Sequence, residues 1–393
     1  MGPPGQGVLV KVAYLTSYYN GASDGRFGRF HDWVHTLREL DDPPFDFEVV
    51  ALTASNPDRT LSSIPYGLFG EATDLWGSKW NKAEFALNAP RAVRDLRRSD
   101  FDVLHVLTLD LVAYPIALVL ADRSPVVGPD VQGYFPGRLG DRWNHGGLAG
   151  AKHRGRFALK RRLLGLADDP TVVALSEYHR RNVAKLGVDP DRVEVIPPGV
   201  APYFTPADRD SDDSRHDRPT EFLYLGDLSS YKGYDLFLEA LALLPEDVDA
   251  TATVVGSGDP DRDRIDALGL SEAVTVEGFV ARRDLPEYYR QADFYVMPSI
   301  DENGPNTIVE ALACGTPVLA TDRRGINEYA PADAAIYFER TADAVAAAMR
   351  QGHENRSAYA SAAAEHARAG EFSAERTVDG LYEVYRHHRD RRR

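Results

Sequence analysis

Short apolar runs alternate with helical patterns along almost the whole chain of 393 residues, and this alternation constrains the fold most. Val8–Leu15, Val103–Thr108 and Thr171–Leu175 read as buried strands. Each is followed by a polar turn or by a segment with apolar residues at helical spacing. Strands separated by helices pair in parallel, because a parallel connection must cross back over the sheet. The sequence therefore predicts an α/β protein built from βαβ units.

The series is interrupted once, at Thr205–Pro219, a stretch of dense charge bracketed by prolines and without apolar periodicity. Such a stretch is typical of a linker or surface loop. A second series then begins with strands predicted at Glu221–Gly226 and Phe294–Pro298 and helices at Leu285–Gln291 and Asn306–Ala313. We predict a first domain over residues 1–200, a linker over 201–219 and a second domain over 220–372. A final helix, 373–393, is expected to pack back on the first domain.

Composition excludes several classes of protein. The formal charge of −15 argues against a nucleic-acid binder held by phosphate neutralisation. Cys314 is the only cysteine, which excludes an internal disulfide, a cysteine-based zinc cluster and a CxxC redox pair. The sequence has neither a long apolar stretch nor an apolar leader, so a cytoplasmic protein is expected. Only seven of the 45 basic residues are lysines and 39 of the 60 acidic residues are aspartates, as in salt-adapted proteins or GC-rich genomes.

The most informative segment, Pro298–Ala320, reads PSIDENGPNTIVEALACGTPVLA. Its first residues follow a predicted strand, so Asp301–Pro305 is expected at the carboxyl edge of a parallel sheet, where α/β folds bind ligands. Gly304-Pro305 then begins a helix. The free amides of Asn306 and Thr307 would face the same crevice as the positive end of the helix dipole. This arrangement suits a pyrophosphate.

Two carboxylates eight residues apart, Glu302 and Glu310, flank that helix start. A carboxylate repels phosphate but accepts hydrogen bonds from hydroxyl groups, which a sugar and a ribose supply. This spacing, together with the ALACGTPV sequence, resembles the EX7E signature of retaining glycosyltransferases of the family 4 type, which have the GT-B fold of two Rossmann-like domains facing across a cleft.

Further segments of the chain resemble the same family, most strongly over residues 220–330. They are Leu225–Gly233 (the family's G-R-L-x-x-x-K-G element), Val254–Gly258 (IVGxGP), Val276–Val280 (F-x-G-x-V), and Val195–Val200 with Phe204 (vIPNGVD-x-x-F).

The resemblance implies a metal-independent enzyme without a resident cofactor, whose donor substrate is a nucleotide-diphosphate sugar. Lys232 would contact the diphosphate, Glu302 the hydroxyls of the transferred sugar, and Glu310 the ribose. Backbone groups would bind the remaining parts of the donor: Gly226, Gly304, Asn306 and Thr307 at the phosphates, Phe279 and Val280 at the base. A fixed lysine and helix amides stabilise the charge of the leaving diphosphate.

Two positions depart from the family pattern. Asp227 stands where an arginine is usual, which removes one cation from the diphosphate site. The family often has a histidine after the strand at Pro125–Gly128, and here only Asp130 and Gln132 are available as polar groups. Asp130 is thus the weak candidate for a catalytic group beside Glu302 and Lys232. A carbohydrate- or nucleotide-binding protein with little activity is one alternative to the glycosyltransferase, and a sugar epimerase or phosphorylase of the same fold is another.

One segment of the first domain is strongly basic, although the chain as a whole is acidic. Arg138–Arg162 has eight basic residues against a single acid, Asp141, with apolar residues between them. A solvated helix face is the ordinary interpretation. The functional interpretation is a surface for anionic lipid headgroups or a lipid-linked acceptor. It predicts peripheral membrane association through Arg154, Arg156, Lys160, Arg161 and Arg162, with Trp143, Phe157, Leu163 and Leu164 entering the headgroup region.

Overall fold

The computed structural model describes residues 10–20, 33, 36–55, 79–109, 112–121, 125–130, 148–207, 218–302 and 304–392. The chain divides into two compact units. The first comprises Met1–Pro197 and Thr377–Arg393, and the second comprises Pro198–Arg376.

The first unit contains a six-stranded, all-parallel sheet in the order β2-β1-β3-β4-β5-β6. Its strands are β1 (Val10–Asn20), β2 (Phe45–Ser55), β3 (Val103–Thr108), β4 (Val126–Asp130), β5 (Thr171–Ala174) and β6 (Val193–Val195). Residues 36–39 are helical, and the further α-helices described before the second unit are α1 (Lys79–Arg98), α2 (Ala113–Leu120), α3 (Leu148–Leu164) and α4 (Glu177–Ala184). Successive strand residues point to opposite faces, so the sheet is covered by one apolar cluster on each side.

The second unit repeats this architecture with the strand order β12-β11-β10-β7-β8-β9, again all parallel. Its strands are β7 (Thr220–Leu225), β8 (Ala250–Val255), β9 (Val274–Gly278), β10 (Phe294–Met297), β11 (Val318–Thr321) and β12 (Ala335–Phe338). Its helices are α5 (Tyr234–Ala242), α6 (Arg262–Ala267), α7 (Leu285–Gln291), α8 (Asn306–Ala313), α9 (Ala342–Glu354) and α10 (Arg356–Arg368).

The last helix, α11 (Ala374–Arg392), packs on the first unit's sheet. Val378, Leu381 and Tyr385 are buried in the same apolar cluster as residues of β1. The helix is also held at its start, where the Thr377 hydroxyl donates to the Pro197 carbonyl at 3.0 Å. The apolar residues of this helix recur at helical spacing because one of its faces completes the first unit's core.

The α/β class and the two Rossmann-like sheets are as the sequence predicts. Helices α7 and α8 have the predicted bounds. Within the segment predicted as a linker, Phe204 is 4 % exposed and lies in the core of the second unit. Residues 208–217 lie outside the described part of the chain. No helix among the described residues is long and apolar enough to span a membrane.

A buried polar chain links α11 to the first sheet. The Tyr14 and Tyr385 hydroxyls lie 2.9 Å apart, and the Tyr385 hydroxyl lies 2.7 Å from His105 Nδ1. His105 Nε2 is bonded to the Gly128 carbonyl, which can only accept, so Nε2 carries the proton and Nδ1 accepts from Tyr385. Burial lowers the pKa of His105 to about 4, with a smaller lowering by His388, against the raising effect of the Gly128 bond. His105 is therefore a neutral core residue, as its strand position favours.

We expect His105 to make the protein sensitive to acid. Its pKa is lower in the folded state than the ordinary value of 6.5, so its contribution to stability is present above pH 6.5 and lost as the pH falls towards 4. The loss amounts to about 2–3 kcal/mol. Denaturant unfolding at pH 7 and pH 4.5 should show a smaller pH difference for His105→Gln than for wild type. The exposed His387→Gln serves as control. Equal pH differences in wild type and His105→Gln would contradict this account.

Candidate functional site

The candidate site lies at the carboxyl edge of the second sheet, where the strand order reverses. Strand β7 pairs with β8 on one side and with β10 on the other. The loops that follow β7 and β10, residues 226–233 and 298–305, therefore leave the sheet side by side. Ligands of open α/β sheets bind at such a reversal point.

These two loops touch along their backbones. The Ile300 amide donates to the Tyr231 carbonyl at 3.0 Å, and the Tyr231 hydroxyl donates to the Asp301 carbonyl at 3.0 Å. Gly233 has a φ of +82°, and a Cβ added there would lie 2.2 Å from the Pro298 carbonyl oxygen. Glycine is therefore required at 233 both by its left-handed conformation and by the close approach of the loop after β10.

The two side chains predicted to act on the donor meet above this contact. Lys232 Nζ lies 2.5 Å from Glu302 Oε1, with 32 % of the lysine side chain and 16 % of the glutamate side chain exposed. The ion pair is thus partly exposed, and each partner lies in a loop that follows a strand of the second sheet. The motifs predict both residues in one site, and the structure brings them into contact.

Helix α8 begins immediately after the Glu302 loop. Pro305 is the residue that precedes the first helical residue, Asn306. The Thr307 hydroxyl is turned inward, where it accepts from Tyr295 at 2.8 Å. Thr307 therefore offers a ligand its backbone amide, which is the group predicted for phosphate binding. Gly304 lies in the same loop, partly exposed.

Glu310, the second predicted carboxylate, is buried, with 1 % of its side chain exposed. Arg282 pairs with its Oε1 and the Tyr289 hydroxyl donates to its Oε2 at 2.9 Å. Burial and the neighbouring Glu310 carboxylate raise the pKa of Tyr289 well above its usual value, so it remains a donor. Each carboxylate oxygen thus has one hydrogen-bond donor and keeps a second lone pair.

Arg282 is a functional candidate that sequence analysis missed. It is 7 % exposed, and its guanidinium lies 5.0 Å from the centre of the Phe204 ring. This cation–π contact explains why Phe204 belongs to the core and not to a linker. No motif marks Arg282 in the sequence, because it precedes α7 in a segment of ordinary polar composition.

Tyr295 is buried close to both carboxylates, and its hydroxyl is influenced by each of them. Burial raises its pKa, and the charges of Glu302 and Glu310 add to that effect, while its bond to Thr307 opposes it. Both carboxylates thus act on one buried hydroxyl beneath the start of α8.

The neighbouring loops supply the remaining predicted donor contacts. Gly226 lies against the loop after β8, since a Cβ at Gly256 would lie 1.8 Å from the Gly226 carbonyl oxygen. Phe279 is 71 % exposed and follows β9, with Val280 partly buried beside it. The Asp227 side chain is exposed, and no arginine pairs with it among the residues that the structure describes.

The residues predicted to act in the first unit lie on β4 and α3. Asp130 ends β4, but its side chain lies outside the described residues, as do those of Arg154 and Arg156. Lys160 is partly buried, and Arg161 and Arg162 are exposed at the end of α3.

The lipid prediction was wrong for two of its apolar residues, Leu163 and Leu164. Leu163 and Leu164 are 8 % and 2 % exposed because they pack into the first unit's core, and Phe157 packs against it. Two leucines in this part of the chain are exposed instead, Leu159 at 40 % and Leu166 at 45 %. Trp143 lies outside the described residues.

Cys314 is 3 % exposed, and burial raises the pKa of its thiol to about 12. It is therefore a structural residue and not a nucleophile. Within the described part of the chain, no cluster of three or more His, Cys, Asp or Glu side chains is arranged to hold a metal ion.

Two family descriptions match the chain, one for each half. Residues 33–203 match "Glycosyltransferase Family 4" and residues 207–369 match "Glycosyl transferases group 1". Curated relatives include D-inositol 3-phosphate glycosyltransferases. That of Paenarthrobacter aurescens is 37 % identical over 37 % of this chain and 38 % of its own length. The enzyme of Mycolicibacterium smegmatis is 33 % identical over 55 % of this chain and 52 % of its own length. The chain thus spans about two fifths to one half of these relatives' length.

Solved structures resemble the chain over nearly its whole length. A sucrose-phosphate synthase from Thermosynechococcus elongatus has a TM-score of 0.71 at 17 % identity, covering 96 % of this chain and 98 % of that one. Anabaena HepE, crystallised with UDP and glucose, has a TM-score of 0.67 at 18 % identity, covering 95 % and 99 %. At this identity the likeness shows the fold, which is the GT-B fold.

We expect Arg282→Met to destabilise the protein by about 3–5 kcal/mol, because it leaves the buried Glu310 carboxylate without its charge partner. The double variant Arg282→Met/Glu310→Gln should recover part of that loss, since it removes the unpaired charge. Arg264→Met breaks the exposed pair with Glu239 and serves as control, with an expected cost of about 0–1 kcal/mol. Chemical denaturation measures all three. An Arg282→Met variant as stable as the control would show that Glu310 does not depend on this pair.

Proposed function

The chain belongs to the family 4 type of the group 1 glycosyl transferases, and on that premise we propose that it is a retaining glycosyltransferase acting on a nucleotide-diphosphate sugar. The observation that carries the proposal is the Lys232–Glu302 pair, held at the reversal point of the second sheet beside the start of α8.

The pair suits a donor that is anionic at one end and rich in hydroxyls at the other. The diphosphate attracts Lys232 away from Glu302, and the freed carboxylate accepts hydrogen bonds from the sugar. Separating the two residues leaves neither charge unpaired, because the diphosphate replaces Glu302 as the partner of Lys232 and the sugar hydroxyls replace Lys232 as the partners of Glu302. The site therefore exchanges one internal contact for two contacts with the donor.

Lys232 and the amides at the start of α8 then stabilise the negative charge that develops on the leaving diphosphate. This arrangement needs no metal ion and no resident cofactor. Glu310, held by Arg282 and Tyr289, would accept hydrogen bonds from the ribose hydroxyls. The backbone at Phe279 and Val280 would contact the base.

In the proposed mechanism the sugar leaves the donor and joins the acceptor with retained configuration. The departing phosphate itself receives the acceptor's proton, so no strong protein base is required. Asp130, at the end of β4, remains a weak candidate for an auxiliary role.

The acceptor that we propose is a lipid-linked saccharide or glycolipid, reached by peripheral association with the cytoplasmic face of an anionic membrane. Leu159 and Arg162 are exposed on one face of α3, and Leu166 is exposed in the turn that follows the helix. Exposed leucines beside arginines suit the headgroup region. The curated relatives are named for D-inositol 3-phosphate, so a phosphorylated polyol in solution is the competing acceptor.

A protein that binds the donor without turnover is the second candidate, supported by the exposed Asp227 where the family has arginine. Release of the nucleoside diphosphate from a sugar donor in the presence of acceptor separates the two functions.

Substitutions in the ion pair should separate binding from transfer. A thermal-shift screen with UDP, GDP and ADP first identifies the nucleotide; at 100 times its dissociation constant it stabilises the protein by about 2.7 kcal/mol. We expect Lys232→Ala to weaken binding of that nucleotide, because its diphosphate loses the lysine. Glu302→Gln should keep or strengthen the same binding, because it frees Lys232, while transfer of the sugar is lost. Glu310→Gln should weaken binding more than Glu302→Gln does.

Lys185→Ala, in the first unit, is the control for loss of a lysine. Titration calorimetry provides the comparison. A Glu302→Gln variant that binds the nucleotide as poorly as Lys232→Ala would contradict the proposed division of roles.

The membrane proposal has a matched control within the first unit. Helices α3 and α1 each have two arginines in the last turn, Arg161 and Arg162 in one and Arg97 and Arg98 in the other, and all four are exposed. We expect Arg161→Gln/Arg162→Gln to reduce sedimentation with phosphatidylglycerol vesicles about 30-fold in partition coefficient, at about 1 kcal/mol per charge. Arg97→Gln/Arg98→Gln should leave it near wild type. If the wild type stays in the supernatant at every salt concentration, the soluble acceptor is favoured.

A further inference from the structure

Arg340 reaches the two loops of the candidate site from a third strand. It follows β12 by two residues, at the outer edge of the second sheet. Its Nε donates to the Pro298 carbonyl at 3.0 Å, and one of its terminal nitrogens donates to the Ser230 carbonyl at 2.6 Å. One guanidinium thus binds a backbone group in the loop that carries Lys232 and another in the loop that carries Glu302.

The hydrogen-bond partners of Arg340 distinguish it from an arginine in a surface ion pair. Both are carbonyl oxygens, and among the described residues no carboxylate lies within ion-pair distance of its guanidinium. Burial lowers the pKa of Arg340, and the nearby Arg323 lowers it further, with a smaller opposing effect from Asp235. A cation held beside another cation by carbonyl groups is retained for its hydrogen-bond geometry and not for charge pairing.

Arginine is suited to this position because its donors lie in one rigid plane. A lysine ammonium is a compact charge on a flexible chain and cannot reproduce that fixed fork.

The two hydrogen bonds of Arg340 lie next to the contact between the Lys232 loop and the Glu302 loop. Pro298 is the residue whose carbonyl lies against Gly233, next to Lys232. Ser230 accepts from Arg340 two residues before Lys232, and Tyr231 between them accepts from the Ile300 amide. Movement of either loop would change the distance between Lys232 and Glu302.

We propose that Arg340 is a positioning residue that fixes the Lys232 loop against the Glu302 loop and thereby sets the spacing between the diphosphate contact and the sugar contact. The proposal rests on the function proposed above for these two side chains. It assigns Arg340 no contact with the substrate.

The first test does not depend on activity. The Ile300 amide is bonded across the two loops, so its hydrogen exchange reports their separation. We expect Arg340→Gln and Arg340→Lys to accelerate exchange at Ile300 about tenfold or more, because a hydrogen bond to a charged group is lost. Exchange at the Gly256 amide, bonded to Gly278 between two other strands, should be unchanged. Arg323→Gln is the matched control, since it removes the neighbouring charge without removing a bond to either loop.

The second test measures turnover with the UDP-, GDP- or ADP-sugar selected by thermal shift. Both Arg340 variants should lower kcat about tenfold or more while melting close to wild type, and Arg323→Gln should leave kcat unchanged. Rescue by Arg340→Lys, or an equal effect of Arg323→Gln, would show that charge and not geometry matters and would overturn the proposal. Unchanged hydrogen exchange at the Ile300 amide in the Arg340 variants would also overturn the proposal.

The two proposals fail separately. If wild type binds none of the three nucleotides while exchange at Ile300 responds to Arg340, the donor assignment fails and the fixing of the loops by Arg340 stands. If the nucleotide binds and Lys232→Ala weakens it, but Ile300 is unaffected by Arg340 substitutions, only the positioning role fails.

Discussion

The backbone contact between Gly233 and Pro298 is the constraint on which the candidate site depends. It exists because β7 and β10 are neighbours in a parallel sheet, so the loops that follow them leave the same edge together. The contact brings Lys232 within 2.5 Å of Glu302 although 70 residues separate them in the chain. A side chain at 233 would force the loops apart, and the ion pair would be lost with them.

The two carboxylates of the signature are supported in different ways. Glu302 is partly exposed and pairs with a lysine that a ligand can take over. Glu310 is buried, and Arg282 and Tyr289 hold both of its oxygens. A partly exposed pair is less costly to separate than a buried one, and a buried charge must keep its partner. This contrast is consistent with the roles proposed for them, a rearranging contact of Glu302 with the sugar and a fixed contact of Glu310 with the nucleotide.

Sequence patterns predicted what depends on local periodicity and on motif spacing. Apolar runs such as Phe294–Met297 are buried on both faces of the sheet, so they stand out as strands, and the Gly304-Pro305 pair marks the start of α8. Helix α1 was not predicted because it is polar and contains Pro90. Burial of Leu163 and Leu164 could not be read from the basic segment, because charge density does not reveal which face of a helix packs inward. Arg282 and Arg340 act through contacts distant in sequence, and no local pattern distinguishes them from other arginines.

The most direct test of the account is a crystal structure of the protein with the nucleoside diphosphate selected by the thermal-shift screen. We expect the diphosphate within hydrogen-bond distance of Lys232 Nζ and of the amides at the start of α8, with the ribose at Glu310 and with Lys232 withdrawn from Glu302. A nucleotide bound elsewhere, or one bound here while Lys232 remains paired with Glu302, would contradict the account.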